Sequence, residues 1–299
     1  MTTERRAAAN GIELCYDTFG DPADPALLLV AGFTAQMVSW RREFCEMFAE
    51  AGFHVIRYDN RDVGHSTKTT GDAPDVLTLV MRGQSGDTVD PSEVPYTLSD
   101  MAADGIGLLD ALGIDTAHVV GASMGGMIVQ HMAIEHPHRV ASVTSIMSST
   151  GNHEVGTATD EALGALLAPP AADRAGLIEQ TVHTSKVIGG SLWDEDEARL
   201  RAAEALDRMH HPEGPPFQLA ALIAAGDRTE RLGAVTAPFL VIHGPLDTLI
   251  DISGGHATAA AVPGAELLVL DEMGHDMPEA LWPQMVGAIA EIAGVGAQA

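Results

Sequence analysis

The sequence predicts an α/β protein in which a mostly parallel sheet carries helices on both faces. Several short segments are apolar without alternation, as in strands buried on both sides, and residues 26–31 and 117–121 are clear examples. Segments with the helical spacing of apolar residues lie between them, such as residues 40–51. This repeated alternation of strand and helix requires crossover connections and therefore parallel strands.

The order of the elements follows from the same patterns. Strands are expected at residues 11–20, 26–31, 54–58, 117–121, 140–147, 238–244 and 266–270. Helices are expected at residues 40–51, 97–112, 124–135, 194–209 and 282–293. Thr97 and Asp100 form a capping pair at the start of the second helix, and the acidic residues 194–197 suit the start of the fourth.

The rhythm of strand and helix stops in the middle of the chain. Residues 149–232 contain no buried strand pattern, and Ala, Pro and Gly are frequent among them. The strand pattern then resumes and runs to the end of the chain. We therefore predict one sheet domain, residues 1–148 and 233–299, with residues 149–232 as a helical insertion.

The composition limits the partners of the protein. Its 299 residues carry a formal charge of −26, which disfavours nucleic acids, anionic membrane surfaces and polyanionic substrates. The N-terminus lacks the apolar run of a secretory signal peptide, and no apolar stretch reaches the ~20 residues that span a bilayer. Cys15 and Cys45 show no C-x-x-C spacing. We expect a cytoplasmic protein without a disulfide or a metal site.

A candidate nucleophile lies where the strand at residues 117–121 meets the next helix. Gly121, Ser123 and Gly125 match the pattern G-x-S-x-G, and the helix begins at Met124. The two glycines leave space for a tight turn that exposes the Ser123 hydroxyl. The Met124 N–H lies at the N-terminus of the helix. It would face the oxyanion that forms when the Ser123 hydroxyl attacks a substrate carbonyl.

A serine hydroxyl needs a base, and thirteen histidines compete for this role. His275 lies in a loop just past the strand at residues 266–270, where ligand-facing groups collect in a parallel sheet. His243 lies at a strand end and is a weaker competitor. The remaining histidines near predicted helices are better explained as surface or packing residues: His131, His136, His138, His210 and His211.

The acid that orients the base should also follow a strand. Asp247 does so, three residues beyond the strand at residues 238–244. A carboxylate there can fix the imidazole tautomer and stabilise the imidazolium. Asp251 is the reserve candidate, and Asp271 is a poorer one.

The order Ser123, Asp247, His275 is that of the α/β-hydrolase family, which the chain resembles over nearly its whole length. Residues 59–66 resemble the family's D-x-R-x-x-G-x-S loop, and the sequence around His243 resembles its acid loop. The resemblance implies an eight-stranded sheet with a helical cap inserted after the sixth strand. It implies no metal and no organic cofactor.

The loop after the third strand departs from the family pattern, because Ala31 stands where a histidine is common before Gly32. By position, the Phe33 N–H would be the second oxyanion donor beside that of Met124. Phe33 and Met124 are also the candidate residues of the substrate pocket. Two interpretations of the Phe33 ring stay open, namely contact with substrate and packing alone.

The resemblance implies hydrolysis of a small to medium, apolar carboxylic ester through an acyl-enzyme on Ser123. It is strongest to bacterial methyl-ester esterases, including those that demethylate anthracycline polyketides. A perhydrolase or a carbon–carbon bond hydrolase with the same triad is the alternative, and a non-catalytic small-ligand binder is a third. Serine at position 123 disfavours the dehalogenases and epoxide hydrolases of this fold, whose nucleophile is Asp. Monomer and homodimer both stay open.

Overall fold

An eight-stranded sheet organises the residues that the computed structural model describes, 3–84 and 89–295. Its spatial order is β1-β2-β4-β3-β5-β6-β7-β8; β2 pairs antiparallel with β1 and β4, and every other pair is parallel. The strands are β1 Arg5–Ala9, β2 Ile12–Phe19, β3 Ala26–Val30, β4 His54–Tyr58, β5 Ala117–Ala122, β6 Val140–Ile146, β7 Phe239–His243 and β8 Glu266–Val269. The predicted mostly parallel eight-stranded fold is confirmed. The outermost parts of the predicted domain, residues 1–2 and 296–299, lie outside the described residues.

Helices connect the parallel strands β3 to β8, and a last helix follows β8. They are α1 Arg42–Glu50, α2 Val76–Gln84, α3 Leu98–Ala111, α4 Met124–Glu135, α5 Asp160–Leu166, α6 Arg174–Ile188, α7 Glu195–Arg208, α8 Pro215–Ala224, α9 Thr229–Leu232, α10 Ser253–Ala261 and α11 Trp282–Ala293. Within residues 3–84 and 89–295, none of these helices is long and apolar enough to cross a bilayer.

The two faces of the sheet are covered by different helices. Successive side chains of a strand point to opposite faces, and in β3 Leu28 packs in one buried apolar cluster while Leu27 packs in the other. Helices α3 and α4 contribute to the cluster around Leu28, and α1 and α11 contribute to the cluster around Leu27. Strand β3 is therefore buried on both sides, which explains its unbroken apolar sequence.

The segment between β6 and β7 contains α5 to α9 and, within the described part of the chain, no strand. Ile178, Val182 and Ala202 on α6 and α7 form a small apolar cluster of their own. Phe217 on α8 and Leu232 on α9 instead belong to the apolar cluster around Leu28 on the sheet. The last two helices of the segment are thus packed into the core.

Three predicted elements coincide with observed ones, namely β4, α4 and α11, and the other predicted strands and helices agree within about two residues at each end. Seven of the eight strands were predicted from their residues, and the exception is β1. Its sequence, Arg5–Ala9, lacks alternation and β-branched side chains. It lies at an edge of the sheet and is largely exposed. Helices α2 and α10 were also not predicted.

The capping pair of α3 gives a test of the fold. Thr97 Oγ1 accepts from the Asp100 N–H at 3.2 Å, and Asp100 Oδ2 accepts from the Thr97 N–H at 2.8 Å. Thr97→Ala should lower the free energy of unfolding by about 1 kcal/mol, because it leaves a helix N–H unpaired. Urea unfolding measures this loss.

Thr181→Ala is the matched control for that change. Thr181 lies inside α6 and its hydroxyl donates only to the Leu177 carbonyl, at 2.9 Å. Such a bond within a helix adds little stability. Equal losses in the two variants would contradict the capping role of Thr97.

Candidate active site

Ser123 lies at a sharp turn between β5 and α4, and its backbone has φ +57°, a conformation that is rare for residues other than glycine. A Cβ on Gly121 would lie 2.0 Å from the Gly125 carbonyl oxygen, and one on Gly125 would lie 2.1 Å from the Val30 carbonyl oxygen. Only glycine fits at either position. The Ser123 N–H donates to the Ile146 carbonyl at 2.9 Å, which ties the turn to β6.

Asp247 and His275 are brought together from the ends of two neighbouring strands. Asp247 follows β7, His275 follows β8, and His275 Nδ1 lies 2.7 Å from Asp247 Oδ2. The other carboxylate oxygen accepts the N–H groups of Leu249 at 2.9 Å and Ile250 at 2.8 Å. Both oxygens of the buried carboxylate are therefore held in place.

The environment of Asp247 keeps it ionised. Burial acts to raise the pKa of this carboxyl, but the charge of His275 and hydrogen bonds from His243, His275 and the Ile250 amide outweigh it. Together they lower the pKa of Asp247 to about 2. An ionised carboxylate accepts a hydrogen bond from the Nδ1–H group of His275, which leaves the opposite nitrogen of the ring available.

His243 also touches the carboxylate, so two imidazoles compete for the role of base. His243 Nε2 lies 2.8 Å from the Ile250 carbonyl oxygen and 3.3 Å from Asp247 Oδ2, and the side chain is fully buried. Its Nδ1 faces Gly255, where a Cβ would lie 2.6 Å away. Neither nitrogen is open to a reacting group. His275 Nε2 has no hydrogen-bond partner among the described residues, which favours His275.

The reserve acids are engaged elsewhere or exposed. Asp251 accepts from the Thr157 N–H at 2.7 Å and from the Ser253 N–H at 2.9 Å. Asp271 is exposed on the surface. Of the three candidate acids, Asp247 is the one that the described structure pairs with a histidine.

Ser123 is not hydrogen-bonded to His275 in this structure. Its hydroxyl has no partner among residues 3–84 and 89–295, although its turn lies at the carboxyl ends of the same parallel strands. Hydrogen bonds of this kind are often long without substrate and tighten during the reaction. The contact between Ser123 and His275 therefore stays a prediction.

Two backbone N–H groups near Ser123 also have no acceptor within the described chain, namely those of Phe33 and Met124. Met124 is the first residue of α4, where no carbonyl of the helix can reach it. Phe33 follows Gly32, on which a Cβ would lie 3.2 Å from Ser123 Cβ and 3.8 Å from its hydroxyl oxygen. The sequence-predicted donors thus lie beside the serine and have no acceptor among the described residues.

Contacts from the segment between β6 and β7 reach the loops of the site and were not predicted. His275 N–H donates to the carbonyl of Ile188, the last residue of α6, at 2.7 Å. Asp276 accepts from the Gly190 N–H at 3.1 Å and from the Gly274 N–H at 3.0 Å. The end of α6 therefore holds the loop that carries His275.

Another such contact involves Arg208, the last residue of α7. Its guanidinium lies 2.7 Å from Asp59 Oδ2 and 2.6 Å from Gln36 Oε1. Asp59 is fully buried and also accepts from the Met37 N–H at 2.8 Å. Arg208 had no recognisable motif in the sequence, because its partners become neighbours only in the folded chain.

Within the described ranges, no group of three or more His, Cys, Asp or Glu side chains has the arrangement of a metal site. Cys15 and Cys45 are free and buried.

Comparison with known proteins identifies the family. A family model described as alpha/beta hydrolase fold matches residues 25–279, so the chain belongs to the α/β-hydrolase family and is a hydrolase. Rhodomycin D methylesterase DauP of Streptomyces sp. (strain C5) is 28% identical, covering 95% of this chain and 96% of that protein. The 2-hydroxymuconate semialdehyde hydrolase of Pseudomonas putida is 29% identical over 68% of this chain and 69% of its own. The enol-lactonase from Burkholderia xenovorans LB400 is a structural neighbour with a TM-score of 0.73 and 24% identity, covering 97% of this chain and 100% of its own.

The charge of His275 is the largest influence that lowers the pKa of Asp247, which gives a direct test. The pKa of Asp247, followed by ¹³C NMR of its carboxyl carbon, should be about 2 and should rise in His275→Gln. Since the folded pKa lies below the ~3.9 of an unfolded chain, the ionised group stabilises the fold above that pH. This stabilisation is lost as the pH falls through the folded pKa.

His210→Gln is the matched control, because His210 is an exposed histidine. It should leave the pKa of Asp247 unchanged. An unchanged pKa in His275→Gln as well would mean that the two side chains do not interact in solution.

Proposed function

We propose that the protein is a serine carboxylic-ester hydrolase in which Ser123, Asp247 and His275 form the catalytic triad. The observation that carries the proposal is the pairing of a buried, ionised Asp247 with His275, whose Nε2 has no partner in the described part of the chain. Support also comes from the strained, partly exposed Ser123 and from two neighbouring N–H groups that no described residue accepts.

Acylation is the first half of the proposed reaction. His275 Nε2 takes the proton of the Ser123 hydroxyl as the oxygen attacks the ester carbonyl. The N–H groups of Phe33 and Met124 stabilise the oxyanion of the tetrahedral intermediate. Asp247 holds the ring through Nδ1 and stabilises the imidazolium. The intermediate collapses when His275 gives the proton to the leaving alcohol, and the acyl group stays on Ser123.

Deacylation repeats these steps with water. His275 removes a proton from a water molecule that attacks the acyl carbonyl, and the same two N–H groups hold the oxyanion. The proton then returns to the Ser123 oxygen as the acid is released. Neither a metal nor a cofactor has a role in the proposed reaction.

The substrate we propose is a small to medium, apolar ester, with methyl esters as the first class to examine. The 28% identity to rhodomycin D methylesterase over nearly the full length of both chains supports this class. We propose that residues 149–232 form the cap over the site and that Phe33 and Met124 contribute to the pocket. We also propose that the enzyme works in the cytoplasm.

Carbon–carbon bond hydrolysis is the second candidate, and the similarity to 2-hydroxymuconate semialdehyde hydrolase favours it. A panel of substrates separates the candidates: methyl and p-nitrophenyl esters, a vinylogous diketone, and acetate with hydrogen peroxide. Turnover of the diketone well above that of every ester would overturn the esterase proposal, and so would preferential perhydrolysis.

Removing the nucleophile is the most direct kinetic test. Ser123→Ala should lower kcat/KM for a short-chain p-nitrophenyl ester by several orders of magnitude, about 10⁴-fold or more, because no acyl-enzyme can form. Steady-state hydrolysis measures the change, and circular dichroism checks the fold.

Ser99→Ala is the matched control, since its hydroxyl donates to Glu135 at the far end of α4. That variant should keep the activity of the unaltered enzyme. Near-normal turnover by Ser123→Ala would exclude Ser123 as the nucleophile.

A further inference from the structure

The loop that carries Phe33 is fixed on one side by contacts within the core. Asn60 Nδ2 donates to the Ala31 carbonyl at 2.9 Å, and the Ala35 N–H donates to the Gly32 carbonyl at 3.2 Å. The C=O and N–H of a trans peptide point in opposite directions. The bond to the Gly32 oxygen therefore directs the Phe33 N–H, on the same peptide unit, out of the turn.

The other side of Phe33 is fixed by a side chain from α8. Gln218 Oε1 accepts from the Thr34 N–H at 2.9 Å, and its Nε2 donates to the Arg61 carbonyl at 2.8 Å. Thr34 has φ +59°, which is unfavourable for a residue with a side chain and has to be supported by its surroundings. The bond from Gln218 supplies such support.

Because Gln218 is buried, its carboxamide depends on these two hydrogen bonds. The side chain is fully buried in a helix whose other residues are Pro, Phe, Leu, Ala and Ile. Burying a carboxamide costs free energy unless its donor and its acceptor are both used. An apolar side chain such as Leu or Met at this position would avoid that cost. The hydrogen bonds to the loop that contains Thr34 give a reason for a carboxamide at this buried position.

We propose that Gln218 is a positioning residue that keeps the Phe33 N–H aligned with the oxyanion, acting through Thr34. This inference rests on the proposed function and extends it, because it makes α8 part of the hydrolytic machinery. Oxyanion charge develops in the transition state, so the alignment of a donor affects kcat more than substrate binding.

The test compares Gln218→Met with the unaltered enzyme. The variant should lower kcat for a p-nitrophenyl ester about 10- to 100-fold, somewhat less than the ~10²–10³-fold loss on deleting an oxyanion donor outright. KM should change less than about threefold. Affinity for a trifluoromethyl ketone, which forms an oxyanion on Ser123, should fall by the same factor as kcat.

Gln180→Met is the matched control, because Gln180 makes the same kind of bonds elsewhere. Its Oε1 accepts from the Ala171 N–H at 3.0 Å, and its Nε2 donates to the Pro169 carbonyl at 2.9 Å. That variant should leave kcat and the affinity for the ketone unchanged. Gln218→Glu keeps an acceptor for the Thr34 N–H, so its kcat should lie between those of the unaltered enzyme and Gln218→Met.

Amide hydrogen exchange by NMR supplies a measurement that needs no variant. In the unaltered protein the Thr34 amide should exchange slowly although the residue is exposed. The Phe33 amide should exchange faster and become protected when the ketone binds.

The possible outcomes separate this inference from the proposed function. Normal kcat and normal ketone affinity in Gln218→Met would overturn the inference, as would a raised KM with unchanged kcat. A Phe33 amide that stays unprotected with the ketone bound would also overturn it, even if Gln218→Met does not fold. Activity that survives Ser123→Ala would instead overturn the proposed function.

Discussion

The turn around Ser123 has no space for additional side chains, and the geometry of the site depends on this constraint. Gly121, Gly125 and the end of β3 approach so closely that a single Cβ would collide with backbone atoms. The conformation of Ser123 is strained, at a cost of about 1–3 kcal/mol. The buried strands and α4 stabilise it. A serine placed in this way has a rigid backbone and a hydroxyl to which no described residue is hydrogen-bonded, which suits attack on a bound carbonyl.

The other groups of the site depend on longer connections. Asp247 and His275 are held by strand ends and by hydrogen bonds to both carboxylate oxygens. The segment between β6 and β7 also contacts two loops of the site: the carbonyl of Ile188 at the end of α6 accepts from the His275 N–H, and Gln218 accepts from the Thr34 N–H. The segment that we propose as the cap is therefore hydrogen-bonded to the loop that carries His275 and to the loop that carries Phe33 and Thr34.

Much of the fold could be predicted from the sequence because buried parallel strands are apolar throughout and amphipathic helices separate them. Strand β1 was missed because it is an exposed edge strand of Arg and Ala, whose pairing with β2 determines its conformation. In the site, Ser123, Asp247 and His275 could be selected because each follows a strand. The contacts of Arg208 and Gln218 could not, because they join residues more than 145 positions apart and carry no local pattern.

Covalent labelling tests the central claim most directly. A fluorophosphonate reacts with a serine that is activated by a neighbouring base. The phosphonylated serine resembles the tetrahedral intermediate. The account predicts one label per chain, carried by the peptide that contains Ser123, with loss of ester hydrolysis in proportion to labelling. A label on another residue, or full hydrolytic activity after Ser123 has been labelled, would contradict it.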